Sequence, residues 1–251
     1  MKNKRGQVTL FIIIGIIIVV SALLIFMFKP KITSTIKFNS ENPSAYIDTC
    51  IEDKITETLS QIYLNGGNLE PNSFVMYDSE KINYLCYTNE YNQPCVNQQP
   101  LLKSHIENEL YSVIKFTLDD CFDELANNYE KKGYATNLRK GNLDIKIQTE
   151  NILFNLTNYE IIVTKQDTNT YNSFDISIKS NLYMILSIVN NIIEEEIKIG
   201  DINTMFYMNL FRNFNLEKNQ INGGTTIYVL TDKKTGDKFQ FASRSHVLSP
   251  N

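Results

Sequence analysis

In this chain of 251 residues, the four cysteines are the residues whose type and spacing most directly imply chemistry. Cys50 and Cys121 stand in matching acidic surroundings, Asp48-Thr49-Cys50-Ile51-Glu52-Asp53 and Asp119-Asp120-Cys121-Phe122-Asp123-Glu124, while Cys86 and Cys95 lie nine positions apart across a loop of Asn, Gln and Pro. Neither CxxC nor CxxH spacing occurs, so the set reads as disulfides rather than as a zinc or redox centre. Of the connectivities that four cysteines allow, Cys50 with Cys121 and Cys86 with Cys95 is favoured. Two helical stripes present the first pair to each other, and a short loop closes the second. The longer bridge would close 71 residues, and in the chain-entropy account a loop of that size contributes about 4 kcal/mol.

The remaining candidates for chemistry read as structure. His105 and His246 are 141 positions apart, and each reads as an ordinary solvated histidine. Glu194, Glu195 and Glu196 are consecutive, so on a helix they fan around the axis instead of converging on one cation, and a solvated face is expected. Asp119, Asp120, Asp123 and Glu124 place acids at i and i+4, a weak glycosidase-like or calcium-like pattern that acid-rich helix faces share. Tyr77, Tyr84, Tyr87 and Tyr91 cluster near the Cys86 loop, where they pack a sheet or form an adhesive patch. Asn155-Leu156-Thr157 is a glycosylation sequon, with Asn155 as acceptor. No phosphate-binding loop or metal-ligand cluster is present in the sequence. The expectation is a non-enzyme with no metal and no cofactor.

Residues 8–28, VTLFIIIGIIIVVSALLIFMF, carry no charge, and a helix of that length spans roughly 30 Å of hydrocarbon. The apolar run is too long for a cleavable secretory core and lacks a small-x-small site, which predicts a retained, single-pass transmembrane helix. Lys4-Arg5-Gly6-Gln7-Val8-Thr9 ahead of such a run resembles the archaeal class III signal of type IV pilin-like proteins. That resemblance covers about 28 residues and implies cutting between Gly6 and Gln7, with the apolar helix packed in a filament. Phe11 stands where such pilins usually carry Glu. The Gly-Gln-Val-Thr opening also resembles membrane-anchored archaeal surface proteins of unassigned function.

The elements that would position the cysteines follow from apolar periodicity. Pro30 ends the first helix, and residues 29–43 read as a juxtamembrane linker behind a basic tail at 1–7. Ser44 is expected to cap a helix to about residue 64, with Ile47, Ile51, Ile55, Leu59 and Ile62 on one stripe. Extended runs at 74–77 and 82–87 precede a second helix over 100–132. It buries Leu102, Ile106, Leu110, Ile114, Leu118, Cys121 and Leu125, and Gly133 stops it. Past Gly141 the period becomes two, in runs at 143–147, 152–156, 159–163 and 174–178, an antiparallel meander. Its apolar phase flips from even to odd between Leu156 and Tyr159, which requires a bulge near Thr157 or Asn158. A helix over 181–197, an ambiguous stretch at 201–214 and a hairpin at 225–230 and 238–242 complete the chain.

The expected fold class is α+β: an N-terminal transmembrane helix, then an extracytoplasmic domain at 44–251 in which two or three helices pack an antiparallel sheet. Residues 1–43 hold six basic residues and one acid, which leaves 18 basic against 27 acidic residues and a charge of −9 for the rest. A body of that sign repels nucleic acid. The partners expected are the membrane, other copies of the chain in an oligomer or filament, and a surface partner of unknown identity. The location expected is the cell membrane with the C-terminal domain outside. These readings predict a non-catalytic surface protein, structural or adhesive and pilin-like at its start. The alternatives are a tethered ligand-binding module and, behind it, a surface hydrolase.

Overall fold

Asn42 accepts a hydrogen bond from the Ala45 N–H at 3.1 Å, and Pro43 occupies the first turn, where a missing N–H costs nothing. Helix α1 (Pro43–Leu64) therefore starts at Asn42 and not at Ser44, whose hydroxyl instead donates to the Ser173 carbonyl at 3.2 Å. The structure, a computed structural model, describes residues 14–15, 39–221 and 223–245. The described residues from 39 to 245 form one compact unit. Ile47, Ile51, Ile55 and Ile62 of α1 are buried as the spacing predicts; Leu59 is only half-buried, and Thr58 is buried beside it. The Thr58 hydroxyl donates to the Lys54 carbonyl at 2.7 Å, so a polar group enters the core satisfied.

Helix α2 (Leu102–Lys131) buries the whole predicted stripe together with Phe122 and Tyr129. It ends with a basic residue, Lys131, in its last turn and with Gly133 at φ +81°, a backbone region open to glycine. Around it bends a three-stranded ribbon. The first strand is β4 (Ala135–Arg139) continued by β5 (Asn142–Ile147). The second is β6 (Asn151–Thr157) continued by β7 (Glu160–Thr164), and the third is β8 (Thr168–Tyr171) continued by β9 (Asp175–Lys179). Pairing is antiparallel throughout, β5-β6-β9 at one end and β4-β7-β8 at the other.

All three strands break at the same level. The expected bulge is a sharp break at Asn158, φ +62°, which re-aims the chain so that Ile152, Phe154 and Leu156 and then Tyr159, Ile161 and Val163 all face inward. Gly141 sits against this break; a Cβ there would lie 1.9 Å from the Thr157 carbonyl oxygen, so only glycine fits. Phe122 of α2 fills the inside of the bend, stacked on Tyr159 at 4.7 Å and edge-on to Phe174 at 4.9 Å.

The other sheet has the order β1-β2-β12-β11-β10, from β1 (Phe74–Tyr77), β2 (Glu80–Tyr87), β10 (Phe214–Ile221), β11 (Thr225–Asp232) and β12 (Lys238–Arg244), with β3 (Val96–Asn97) paired to β2. The β2–β12 pair is parallel, so the expectation of an antiparallel sheet alone is corrected at this seam. Val75 and Tyr77 of the edge strand pack against Ile82, Ile227, Val229 and Ala242, so the sheet curls over one face. Its other face meets α3 (Leu182–Ile199) through β2 and β12, and α1 through β12. The short helix α4 (Thr204–Leu210) packs on β10. Strands β4, β8 and β10 carry no strong sequence signal. Leu138 is the one large apolar residue of β4, Thr168–Tyr171 is polar up to its tyrosine, and only the first residues of β10 alternate.

The α+β class holds for the described residues, but the transmembrane helix is corrected. Among the described residues, no helix is long and apolar enough to cross a membrane. The most apolar of them, α3, carries Glu194, Glu195, Glu196 and Lys198 in its last turns. Apart from Ile14 and Gly15, the expected span at 8–28 lies outside the described residues, as do the tail at 1–7 with Gly6 and Gln7, most of the 29–43 linker, and His246.

Candidate functional site

Cys50 on α1 is bonded to Cys121 on α2, with Cα atoms 6.0 Å apart, and Cys86 on β2 is bonded to Cys95, at 5.3 Å. This is the pairing favoured from spacing, and it leaves no free cysteine. The first bridge ties the two helices whose apolar stripes face each other. The second closes the 88–94 loop beside the parallel seam.

Next to the second bridge lies a buried carboxylate that the sequence reading placed on a solvated face. Glu196 is 2% exposed. The Tyr228 hydroxyl donates to one of its oxygens and the Ser243 hydroxyl to the other at 3.0 Å; the Cys95 Sγ is 3.7 Å from that same serine oxygen. The signal was present in the sequence. Position 196 continues the buried stripe of Ile185, Val189, Ile192 and Ile193, and adjacent charge obscured it. Glu194 does remain at the surface, 3.8 Å from Lys198. Burial, followed by the Glu196 charge and hydrogen bond, pushes the Tyr228 phenol far above its usual range. Tyr207 is raised by burial and then by Glu195. Lys218, paired with Asp201, is lowered by burial, against the opposing pull of Glu196.

The acidic run on α2 disperses to separate partners. Asp119 accepts from Lys115 at 2.7 Å and from the Tyr159 hydroxyl at 2.7 Å, and Lys115 also donates to that hydroxyl at 2.7 Å. Burial and then Asp119 raise the Tyr159 phenol. Asp123 pairs with Lys140 at 2.7 Å, and Glu124 accepts from Tyr46 at 3.2 Å. Acids spent on three different partners do not form a glycosidase pair or a calcium site. Among the described residues, no group of three or more His, Cys, Asp or Glu side chains could hold a metal ion.

His105 is part-buried rather than solvated. Its Nε2 is 2.7 Å from Asn68 Oδ1 and 3.7 Å from Glu109, which accepts from the Leu69 N–H at 3.0 Å. Glu107 on the same helix accepts from the Ile147 N–H at 2.9 Å. These groups clasp a loop and a strand end to α2. The tyrosine cluster divides: Tyr77 and Tyr84 pack on the curled sheet, Tyr87 carries Arg244 over its ring at 5.6 Å, and Tyr91 is 81% exposed. Asn155 lies half-buried on the middle strand of the ribbon, opposite Asp144 and Asp175, on the face away from Phe154.

Among the described residues, clefts open on the surface. One, of about 470 Å³, lies between α1 and the β11–β12 turn, lined by Thr56, Ser60, Tyr63, Ser180 and Asp237; burial pushes Tyr63 up to about 12. Another, of about 460 Å³, lies at the start of α3, between Met184, Leu210, Arg212, Lys234 and Glu150. Glu196 lines neither cleft, so its network is enclosed support for the fold. No family model, curated protein or solved structure matches the chain.

Proposed function

We propose that the chain is a non-catalytic structural or adhesive protein of the cell surface, with its body outside the cytoplasm. The observation that carries this reading is the use of all four cysteines in two disulfides, one joining helices across 71 residues of chain. Such bridges persist in oxidising compartments and are rare in a reducing cytosol. The chemistry of the buried polar groups supports the same reading. Glu196, Asp119 and Glu107 are each engaged by donors from neighbouring elements, which ties them into the fold. Val96, next to Cys95, and Phe74 and Met76, on the edge strand β1, expose apolar surface of the kind an adhesive contact buries.

Protease added to intact cells tests the location: degradation of the body is expected, and full protection overturns the reading. Peptide mapping without reduction is expected to find Cys50 joined to Cys121 and Cys86 joined to Cys95 in native protein. Four free thiols would remove the argument for an oxidising compartment.

A further inference from the structure

The cleft at the start of α3 is built from four segments that are tied to one another. The Ser180 N–H donates to the Glu150 carbonyl at 3.0 Å, which fixes the β5–β6 turn to the entry of α3. Asp232, 1% exposed, accepts from the Asn181 side chain at 2.5 Å and from the Lys234 N–H at 2.8 Å, which fixes that entry to the β11–β12 turn. The Lys233 ammonium donates to the Arg212 carbonyl and the Lys233 N–H to the Asn213 carbonyl, each at 2.9 Å, which fixes the α4–β10 corner. Walls held this way form a concave site before any ligand arrives.

Three charged side chains line the cleft without using their charge inside the protein. Among the described residues, the Arg212 guanidinium, the Lys234 ammonium and the Glu150 carboxylate have no hydrogen-bond or ion-pair partner. Asp232, the other acid there, is 1% exposed and has one of the two donors named above on each carboxylate oxygen. Between these groups, Met184 and Leu210 are 37% and 60% exposed, and Tyr183, 42% exposed, lines the adjoining hollow beside Glu150. Two free cations, one free carboxylate and an apolar wall complement a molecule that has a carboxylate, an ammonium and an apolar side chain.

We propose that this cleft binds an apolar zwitterion, the chemistry shared by a free apolar amino acid and a short apolar peptide. Arg212 and Lys234 take the carboxylate, Glu150 takes the ammonium, and the side chain covers Met184 and Leu210. The volume of about 460 Å³ holds a free amino acid, and a short peptide would fill it and extend past its open mouth. This activity is independent of the surface-display reading, and the failure of one leaves the other standing.

Titration calorimetry on the full chain with leucine and with trileucine tests it. Binding of leucine alone assigns a free amino acid, and binding of trileucine alone assigns a peptide. N-acetylation of the ligand that binds should weaken it about tenfold in the wild type but not in Glu150→Gln, and C-terminal amidation should do so in the wild type but not in Arg212→Gln/Lys234→Gln. These substitutions are at the surface, and an unchanged thermal melt verifies that each variant is folded. The proposal is overturned if neither ligand binds at about millimolar concentration, if blocked and free ligands bind the wild type equally, or if the variants respond to blocking as the wild type does.

Discussion

Two regions of the body solve one problem, a tyrosine set against a carboxylate beside a disulfide, in opposite ways. Near the Cys50–Cys121 bridge, Asp119 faces Tyr159 with Lys115 as a third partner, and the two charged side chains are 27% and 20% exposed. Near the Cys86–Cys95 bridge, Glu196 faces Tyr228 and Ser243 in near-complete burial. Water and an adjacent cation share the work at Asp119, so either can compensate for a lost partner. Glu196 depends on two hydroxyls with little access to water, so loss of the carboxylate strands both. Burial, more than the identity of the groups, sets what each network contributes.

Stability measurements sharpen this contrast. Because the Cys50–Cys121 bridge constrains the longer loop, its removal in Cys50→Ala/Cys121→Ala should cost about 4 kcal/mol, against about 2.5 kcal/mol for Cys86→Ala/Cys95→Ala. Chemical denaturation of the purified chain checks both; equal losses would show that loop length does not govern the difference.

The next largest effect is expected at the carboxylates. Glu196→Ala leaves the Tyr228 and Ser243 hydroxyls buried without an acceptor and should cost about 3 kcal/mol. Asp119→Ala, partly screened by solvent, should cost about 1 kcal/mol. A larger loss at Asp119 than at Glu196 would break the comparison. Removing only a phenolic hydroxyl is gentler: Tyr228→Phe should cost about 1.5 kcal/mol and Tyr159→Phe about 0.5 kcal/mol, because Lys115 still serves Asp119.

A separate effect concerns pH. Burial raises Tyr63 to about 12 and raises Tyr129, Tyr159, Tyr207 and Tyr228 further. Above the unfolded phenol value of about 10, the unfolded chain releases protons that the folded chain keeps, so folding stability should fall as pH rises. Their contribution is fully present below about pH 10. Denaturation midpoints measured from neutral pH upward, with phenolate absorbance as a second readout, should hold steady and then decline in the alkaline range. In Tyr228→Phe the alkaline decline should be shallower, and an unchanged slope would show that Tyr228 does not titrate differently on unfolding.

Much of the frame was legible because helices α1, α2 and α3 repeat apolar residues at helical spacing, and because the ribbon alternates with a phase flip that pointed to a break near Thr157 or Asn158. The weak strands escaped for a physical reason. Thr168–Tyr171 and Ala135–Arg139 are edges of the ribbon, held by backbone pairing to a strong central strand and not by side chains of their own. In the candidate cleft, Glu150, Arg212 and Lys234 are each unremarkable in sequence, and only the ties among three turns and a helix start bring them to one hollow.

Local chemistry determined what the sequence by itself determined: that the cysteines read as disulfides, where the helices stop, and which faces are apolar. Those properties depend on neighbours within a few positions, or on a short inventory of thiols. Tertiary structure alone decided that β2 meets β12 in parallel, that Glu196 is enclosed while Glu194 is not, and that a cleft forms at the start of α3. Each of these depends on how distant segments pack, and a charged residue at the end of an apolar stripe becomes buried only when another element, here the strand bearing Tyr228, arrives to cover it.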